Sequence, residues 1–377
     1  MSLISYVTKI HFAENVLEDA LEAELERLGL CRPMIVSDNG TSRRNVLDRL
    51  LAAVPRPVSP TVYESGCCRA TEEACAEAAN LYLDCEADGL IAFGGAAAFN
   101  LTKAVALRVS HDGALRNYAG TEGGRPRILD IIPPMIAIPT IAGSCAETVG
   151  IAVVSLCDGS NVSFVSQFLT PRVVICDPTL TLDLPAGDTA AAGMDALTHC
   201  LETYISTAYN PPADGIARDG LRRAIAHLER AVADGSDLNA RREMMAAALN
   251  GALANQKGLG GVHAMSHALS GVVSGTLDHG ATNAVLLPLV LEFNAPAVAD
   301  RYEDIKREFR LPARASLADA IMRLRERIAL PARLGDIGVV GGDLPRAATL
   351  AAADYTNRTN PRHAGAHDYL SMLQAAL

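Results

Sequence analysis

The chain is 377 residues long, 49% hydrophobic and 20% charged, with no Trp: the composition of a globular protein with enough material for two domains and their cores. Its formal net charge of −10, without any run of Lys or Arg, argues against nucleic acid or an acidic membrane surface as partner, since neither would be attracted electrostatically. No uninterrupted apolar stretch reaches the length that spans a bilayer, Met1 to Tyr6 reads as neither signal nor transit peptide, and nine cysteines without paired CxxC spacing read as reduced thiols, so a cytoplasmic location is expected.

Residues 1–182 alternate short β-like runs with helical segments. Pro33 to Asp38 reads as a buried strand ending in an acid, followed by an amphipathic helix from Thr41 to Val54 with Val46, Leu47, Leu50, Leu51 and Val54 at helical spacing. Thr71 suits the N-cap of a helix running to about Cys85, with Glu72 and Glu73 in its first turn. Asp88 to Phe93 is the next strand and runs into Gly94-Gly95, then a helix from Ala97 to about Val109. Further strands are expected at Met135–Pro139, Ile151–Leu156 and Arg172–Cys176. Strands alternating with helices imply a parallel, Rossmann-like α/β sheet with helices on both faces.

The stretch Phe93-Gly94-Gly95-Ala96-Ala97 is a strand, a tight small-residue turn and a helix start. Small side chains at Gly94, Gly95 and Ala96 let backbone N–H groups approach a phosphate, where the helix N-terminus also favours negative charge. The pattern is not GxGxxG, so the ordinary dinucleotide fingerprint is absent. Asp38 has two readings, an acceptor for an adenosine ribose or a cap for the helix beginning near Thr41, and spacing alone favours the cap. Ile138 to Thr148 is dense in hydroxyls and small residues and suits the lining of a nucleotide pocket, with Thr140 and Ser144 as its candidates. Cys145 has no His near it in sequence, which argues against a nucleophile.

From about Leu184 the texture changes to long Ala- and Leu-rich helical periods, expected at 189–206, 213–233, 238–254, 260–270, 282–294, 317–328 and 344–357. The boundary between an α/β half (1–182) and an all-α half (183–377) is placed at Asp183. Within the first of these helices Asp195 and His199 stand one turn apart on one face, where a carboxylate and an imidazole can hold one divalent cation such as iron(II), zinc, manganese or nickel. Gly261 to His267 carries a second pair, His263 and His267, with His279 twelve residues further on. Four of the nine histidines thus fall in short, otherwise apolar windows, where buried polar groups need partners.

Together these segments resemble the iron-containing (group III) alcohol dehydrogenase family, whose fold is shared with dehydroquinate synthase and glycerol dehydrogenase. The resemblance rests on Asp177-Pro178, Leu184-Pro185 and Thr189 to His199, on His263-Ala264-Met265-Ser266-His267 and His279 to Pro288, and on Asn360-Pro361-Arg362. It implies Asp195, His199, His263 and His279 as metal ligands, with iron(II) favoured and zinc the alternative. His267 would stand in the substrate cleft, Gly94-Gly95 would hold an NAD(P) pyrophosphate, and Thr140 and Ser144 would line the nucleotide site. An acid at Asp38 would favour NAD(H) over NADP(H), and a homodimer or larger homo-oligomer is expected. The chain departs from the family at Ala96, Ala97 and Asn100 in the turn, at Cys67-Cys68, and at Ser163, near the place of a lysine. It also has two extra residues between His267 and His279.

The implied chemistry is Lewis-acid catalysis of hydride transfer between nicotinamide and a small alcohol, aldehyde or ketone. His267 would relay the proton. Maleylacetate reductases on the same fold typically lose the carboxylate that Asp195 retains. A phosphate-eliminating lyase would need a cluster of Lys and Arg that 183–210 lacks, and a pure metal-binding protein would have no use for the glycine turn. A zinc-protease reading of His263 to His267 fails because Ala264 stands where the general-base Glu is required.

Overall fold

Runs of aliphatic residues buried on both faces are what a parallel sheet requires. In the computed structural model, which describes residues 4–38, 44–66, 69–182, 184–273, 275–312 and 314–377, six strands pair side by side, the four inner ones buried throughout and the two at the edges half-buried. They are β1 (Lys9–Phe12), β2 (Pro33–Ser37), β3 (Thr61–Glu64), β4 (Gly89–Gly94), β5 (Met135–Pro139) and, after a separate hairpin, β8 (Val173–Cys176). The order across the sheet is β1-β8-β5-β4-β2-β3, all parallel. The strand order reverses at β2 and β4, so their C-terminal ends flank the crevice where such sheets hold ligands.

Alternation along the strands feeds two cores. Ile35, Ile91, Phe93, Ile136 and Ile138 pack with helices α1 (Leu17–Leu28) and α2 (Arg44–Ala53). Met34, Val36, Leu90 and Met135 face the other way, toward α3 (Glu72–Asp84) and α4 (Ala96–Ser110). Each fully buried Leu or Ile of this kind contributes about 1.5–3 kcal/mol relative to exposure. Thr71 caps α3 as its sequence predicts, its hydroxyl accepting from the Ala74 N–H at 3.1 Å.

The sequence-expected elements differ from the structure in informative places. Ile151 begins a strand, β6 (Ile151–Ser155), but it does not join the parallel sheet; it pairs antiparallel with β7 (Asn161–Val165) in a two-stranded hairpin. Strands β1 and β3 and helix α1 were not foreseen, the two strands being only four residues long and half-buried. The expected helix start at Thr41, the boundary at Asp183 and the departure at Cys67-Cys68 lie outside the described residues.

Contacts divide the chain into Tyr6–Asp183 and a unit built from Leu184–Leu377. The latter is helical: α5 (Ala186–Ile205), α6 (Pro211–Ala233), α7 (Leu238–Ala254), α8 (Gly261–Ser270), α9 (His279–Asn294), α10 (Ala299–Glu308), α11 (Leu317–Arg327), α12 (Leu344–Ala353) and α13 (Ala366–Ala376). Helix α9 starts three residues earlier than its apolar period suggests, because Asp278 caps it by accepting from the Ala281 N–H at 2.7 Å. No helix among the described residues is long and apolar enough to cross a membrane.

Edge strand β1 is tied to α1 by one buried carboxylate. Glu24 meets Lys9 Nζ and Arg27 Nε at 2.5 Å and His11 Nε2 at 2.7 Å. Burial alone would raise its pKa, but hydrogen bonds from Lys9, His11 and Arg27 outweigh it and bring the group from 4.5 down to about 2. Because the folded value is the lower one, this carboxylate stabilises the fold above pH 4.5, and the contribution is lost as pH falls toward 2. Chemical denaturation across that window is expected to show a flatter acid dependence for Glu24→Gln than for the wild type. Parallel curves would show that the cluster contributes nothing.

Candidate metal centre and nucleotide turn

Helix α5 places three ionisable side chains, Asp195, His199 and Glu202, along one buried face, at positions i, i+4 and i+7. Desolvating such groups is expensive unless each finds a partner. Asp195 finds several through Oδ1. Asn283 Nδ2 on α9 donates to it at 2.8 Å and His199 Nδ1 lies at 3.2 Å. His263 Nε2 and His279 Nε2 each stand 3.8 Å away, too far for hydrogen bonds.

His263 and His279 are held from their other nitrogens, and His199 through the same Nδ1 that lies near the Asp195 carboxylate. His199 Nδ1 lies 2.9 Å from the backbone carbonyl of Asp195; a carbonyl only accepts, so that nitrogen carries the proton. His263 Nδ1 meets Glu202 Oε2 at 2.7 Å, and His279 Nδ1 meets Ser266 Oγ at 3.0 Å. The remaining nitrogen of His263, Nε2, is buried and has no hydrogen-bond partner. Asp195, His263 and His279 together offer ligand atoms all within 4.8 Å of one another. His199 is not part of that group of three, although its ring centroid is 4.2 Å from that of His263.

Electrostatics follow from the packing. Burial would raise the Asp195 carboxyl, yet His199 and His279 beside it and the Asn283 hydrogen bond hold it below the usual carboxylate range. Burial, then the neighbouring imidazoles, push His263 well below an ordinary histidine. Glu202 is raised by burial to about 7 despite three backbone N–H donors. The donors are one carboxylate and imidazole nitrogens, which fits a divalent cation of borderline hardness. Donors bonded to one ion at about 2.1 Å lie roughly 3–3.5 Å apart, close to the observed separations.

His267 lies on the same helix as His263, one turn on. Its Nδ1 is 3.2 Å from Asp354 Oδ2, and its ring stacks between His279 and Tyr355 at centroid distances of 5.9 and 6.1 Å. Sequence reasoning missed Glu202, Asn283, Ser266 and Asp354. The only available signal was for Glu202, three residues after His199 on the same helical face.

In the α/β unit the sheet register collects the nucleotide candidates. Ser37 pairs with Phe93 and Gly94 with Pro139, so Asp38, Gly94-Gly95 and Thr140 sit abreast at the C-terminal ends of β2, β4 and β5. The Thr140 N–H donates to the Gly94 carbonyl at 3.0 Å. The Asp38 carboxylate accepts from Gly95 N–H at 3.0 Å and Ala98 N–H at 3.2 Å, so it caps α4; the expected helix start at Thr41 lies outside the described residues. Gly94 has φ +142°, and a Cβ there would come 1.9 Å from Asp38 Oδ1, so glycine is required on both counts. Ala96 is exposed, Ser144 half-buried and Thr140 buried. Lys103, fully buried on α4, donates to the carbonyls of Ala146, Val149 and Ile151 at 2.6, 2.7 and 3.0 Å. Burial lowers its pKa to about 7, against the pull of Glu147. It pins the hydroxyl-rich loop to α4.

Comparison with known proteins bears on both sites. Residues 7–178 match the family described as "Iron-containing alcohol dehydrogenase", and residues 189–377 match "Fe-containing alcohol dehydrogenase family, C-terminal". The chain belongs to the iron-containing alcohol dehydrogenase family. Within that family it is 42% identical over 384 residues to a 4-hydroxybutyrate dehydrogenase of Cupriavidus necator, covering 100% of both chains. It is 35% identical over 302 residues to a 1,3-propanediol dehydrogenase of Klebsiella pneumoniae, covering 77% of this chain and 76% of that one. An alcohol dehydrogenase structure from Oenococcus oeni superposes with a TM-score of 0.92 at 29% identity, covering 100% of each chain. As a member of the iron-containing alcohol dehydrogenases, the protein is an NAD(P)-linked oxidoreductase acting on CH–OH groups, and a divalent metal belongs to that chemistry.

The approach of α9 to α5 depends on Gly280, whose Cβ would meet the Ala191 carbonyl oxygen at 2.0 Å and its carbon at 2.4 Å. An ordinary helical Gly→Ala change gains up to about 1 kcal/mol. Here both partners are backbone, so overpacking decides the sign. Gly280→Ala is expected to destabilise the metal-free protein by about 1–3 kcal/mol in urea denaturation; a neutral or stabilising result would mean that α5 and α9 separate freely.

Proposed function

We propose that Asp195, His263 and His279 hold the catalytic divalent cation, with His199 as fourth ligand through Nε2, and that iron(II) is favoured over zinc. The observation that carries this reading is the buried His263 Nε2, which has no hydrogen-bond partner and faces Asp195 Oδ1 at a separation suited to a shared cation. Three imidazoles and one carboxylate are nitrogen and oxygen donors that suit iron(II) or zinc, and the family resemblance favours iron(II). A cation held there would supply Lewis-acid polarisation of an alcohol or carbonyl oxygen, and the nicotinamide would accept or donate the hydride.

The chain's own residues position the rest. His267, held through Nδ1 by Asp354, offers Nε2 to carry the hydroxyl proton away. Gly94, Gly95 and Ala96 keep bulky side chains off the turn where a pyrophosphate would approach the start of α4, the Gly95 N–H being held by Asp38, with Thr140 and Ser144 along the adjoining loop. Asp38 supports NAD(H) over NADP(H), because a 2′-phosphate would meet its charge. The substrate is a short terminal alcohol or its aldehyde, with 4-hydroxybutyrate the first compound to test, given the relative from Cupriavidus necator.

The test is anaerobic reconstitution with iron(II) or zinc, followed by calorimetric titration of NADH and NADPH and assay with 4-hydroxybutyrate and short diols. Stoichiometric metal, at least tenfold tighter NADH than NADPH, and turnover are expected. Asp195→Asn should weaken metal binding by more than about 100-fold, beyond what loss of an outer-shell partner costs. Metal binding unaffected by that change would sink the ligand assignment, and equal affinity for both nucleotides would sink the role of Asp38.

A further inference from the structure

We propose that Glu202 is the positioning residue of this centre: its carboxylate holds His263 with the proton on Nδ1 and the lone pair of Nε2 directed at Asp195. The inference rests on the metal-ligand reading above and assigns a function to a side chain outside the ligand set.

Glu202 is buried, and both its oxygens are occupied by donors from one short segment. Oε1 accepts from the Val262 N–H at 2.7 Å, and Oε2 accepts from the Gly260 N–H at 3.0 Å and lies 3.4 Å from the His263 N–H. The fourth contact is the His263 ring, Nδ1 to Oε2 at 2.7 Å. In its ionised form the Glu202 carboxylate, ringed by N–H donors, only accepts, so the proton of the 2.7 Å contact belongs to Nδ1 and Nε2 is left bare. Tautomer control through the distal ring nitrogen is how outer carboxylates orient metal-bound histidines.

The packing leaves room for this arrangement and no other partner for the ring. A Cβ at Gly260 would come 2.9 Å from Glu202 Oε1, so a side chain at 260 would crowd the carboxylate. His263 Nε2 is buried and lies 3.8 Å from Asp195 Oδ1, beyond hydrogen-bond reach, so the opposite tautomer would give up the 2.7 Å bond to Glu202 without forming another hydrogen bond in exchange.

A simpler role for Glu202 is to cap the start of α8. That role is partly duplicated: Asn360 Oδ1 accepts from the Gly261 N–H at 3.1 Å at the same helix end without touching a histidine. The two residues therefore separate capping from ring control. In Glu202→Gln one oxygen becomes an NH2 group, which either opposes a backbone N–H or donates to His263 Nδ1 and drives the proton to Nε2.

The experiment uses the full-length chain with cobalt(II) as probe, read by chelator competition and by its visible ligand-field spectrum. Glu202→Gln is expected to bind cobalt(II) about 10- to 100-fold more weakly than the wild type, with an altered spectrum. Asn360→Ala is expected to lower the melting temperature while leaving cobalt(II) affinity within about threefold, since outer-shell effects of the larger size need a partner on a ligand. Wild-type affinity in Glu202→Gln, or an equal loss in Asn360→Ala, would overturn the proposal. Should Glu202→Gln not fold, 15N-histidine NMR of the metal-free wild type decides. An Nδ1–H tautomer at His263, assigned by the signal missing in His263→Asn, supports the proposal, and an Nε2–H tautomer overturns it. If the wild type takes up no cobalt(II), the metal reading itself fails, while the tautomer still reports on Glu202.

Discussion

Burial of charge along α5 is the constraint on which the helical unit turns. One side of a single helix takes Asp195, His199 and Glu202 out of water, and none of these can remain there unsatisfied. The solution fixes the neighbours. Helix α8 must begin where its first N–H groups can reach Glu202, and α9 must come close enough for Asn283 and His279 to face Asp195. Gly260 and Gly280 stand where those approaches are tightest. The polar groups specify how the three helices pack, and the same packing leaves one imidazole nitrogen without a proton partner.

The α/β unit solves a related problem with the opposite sign. The N-terminus of α4 is a concentration of partial positive charge, and Asp38, brought alongside by pairing of β2 with β4, answers it. Lys103 answers the carbonyl-rich loop after β5 from within the protein. The Lys103 amine against three carbonyls ties down the loop after β5, and a carboxylate against two amides ties down the turn into α4, before any ligand arrives.

Much of this was legible in the sequence where a local rule had no competitor. Thr71 capped as its hydroxyl predicts, and Met135–Pro139 and Leu238–Ala254 matched to the residue. The paired spacings of Asp195 with His199 and of His263 with His267 drew attention to α5 and α8, and the structure brings those segments together. What escaped was non-local. Ile151–Ser155 reads as a buried strand whichever sheet it joins, and only its pairing with Asn161–Val165 distinguishes hairpin from parallel ladder. Strand β1 is short and half-buried, and its alternation is too brief to stand out. Asp38 caps α4, a helix distant in sequence, because the pairing of β2 with β4 brings the two together. Glu202 and Asn283 carry no motif of their own; each is recognisable only through the group it touches.

The first and last strands of the α/β sheet, β1 and β8, are neighbours and run parallel, Lys9 beside Val173 and Phe12 beside Cys176. Chain enters β1 at its N-terminal end and leaves β8 at its C-terminal end, so tension between the two ends of this unit draws the strands past one another lengthwise. The load falls on all the ladder's hydrogen bonds together instead of opening them one at a time. Parallel bonds are evenly spaced along such a ladder, and Glu24 clamps β1 to α1 against the same displacement. The place where this unit begins and ends is therefore loaded in shear, the mechanically resistant direction of a sheet, although it is also the sheet's edge.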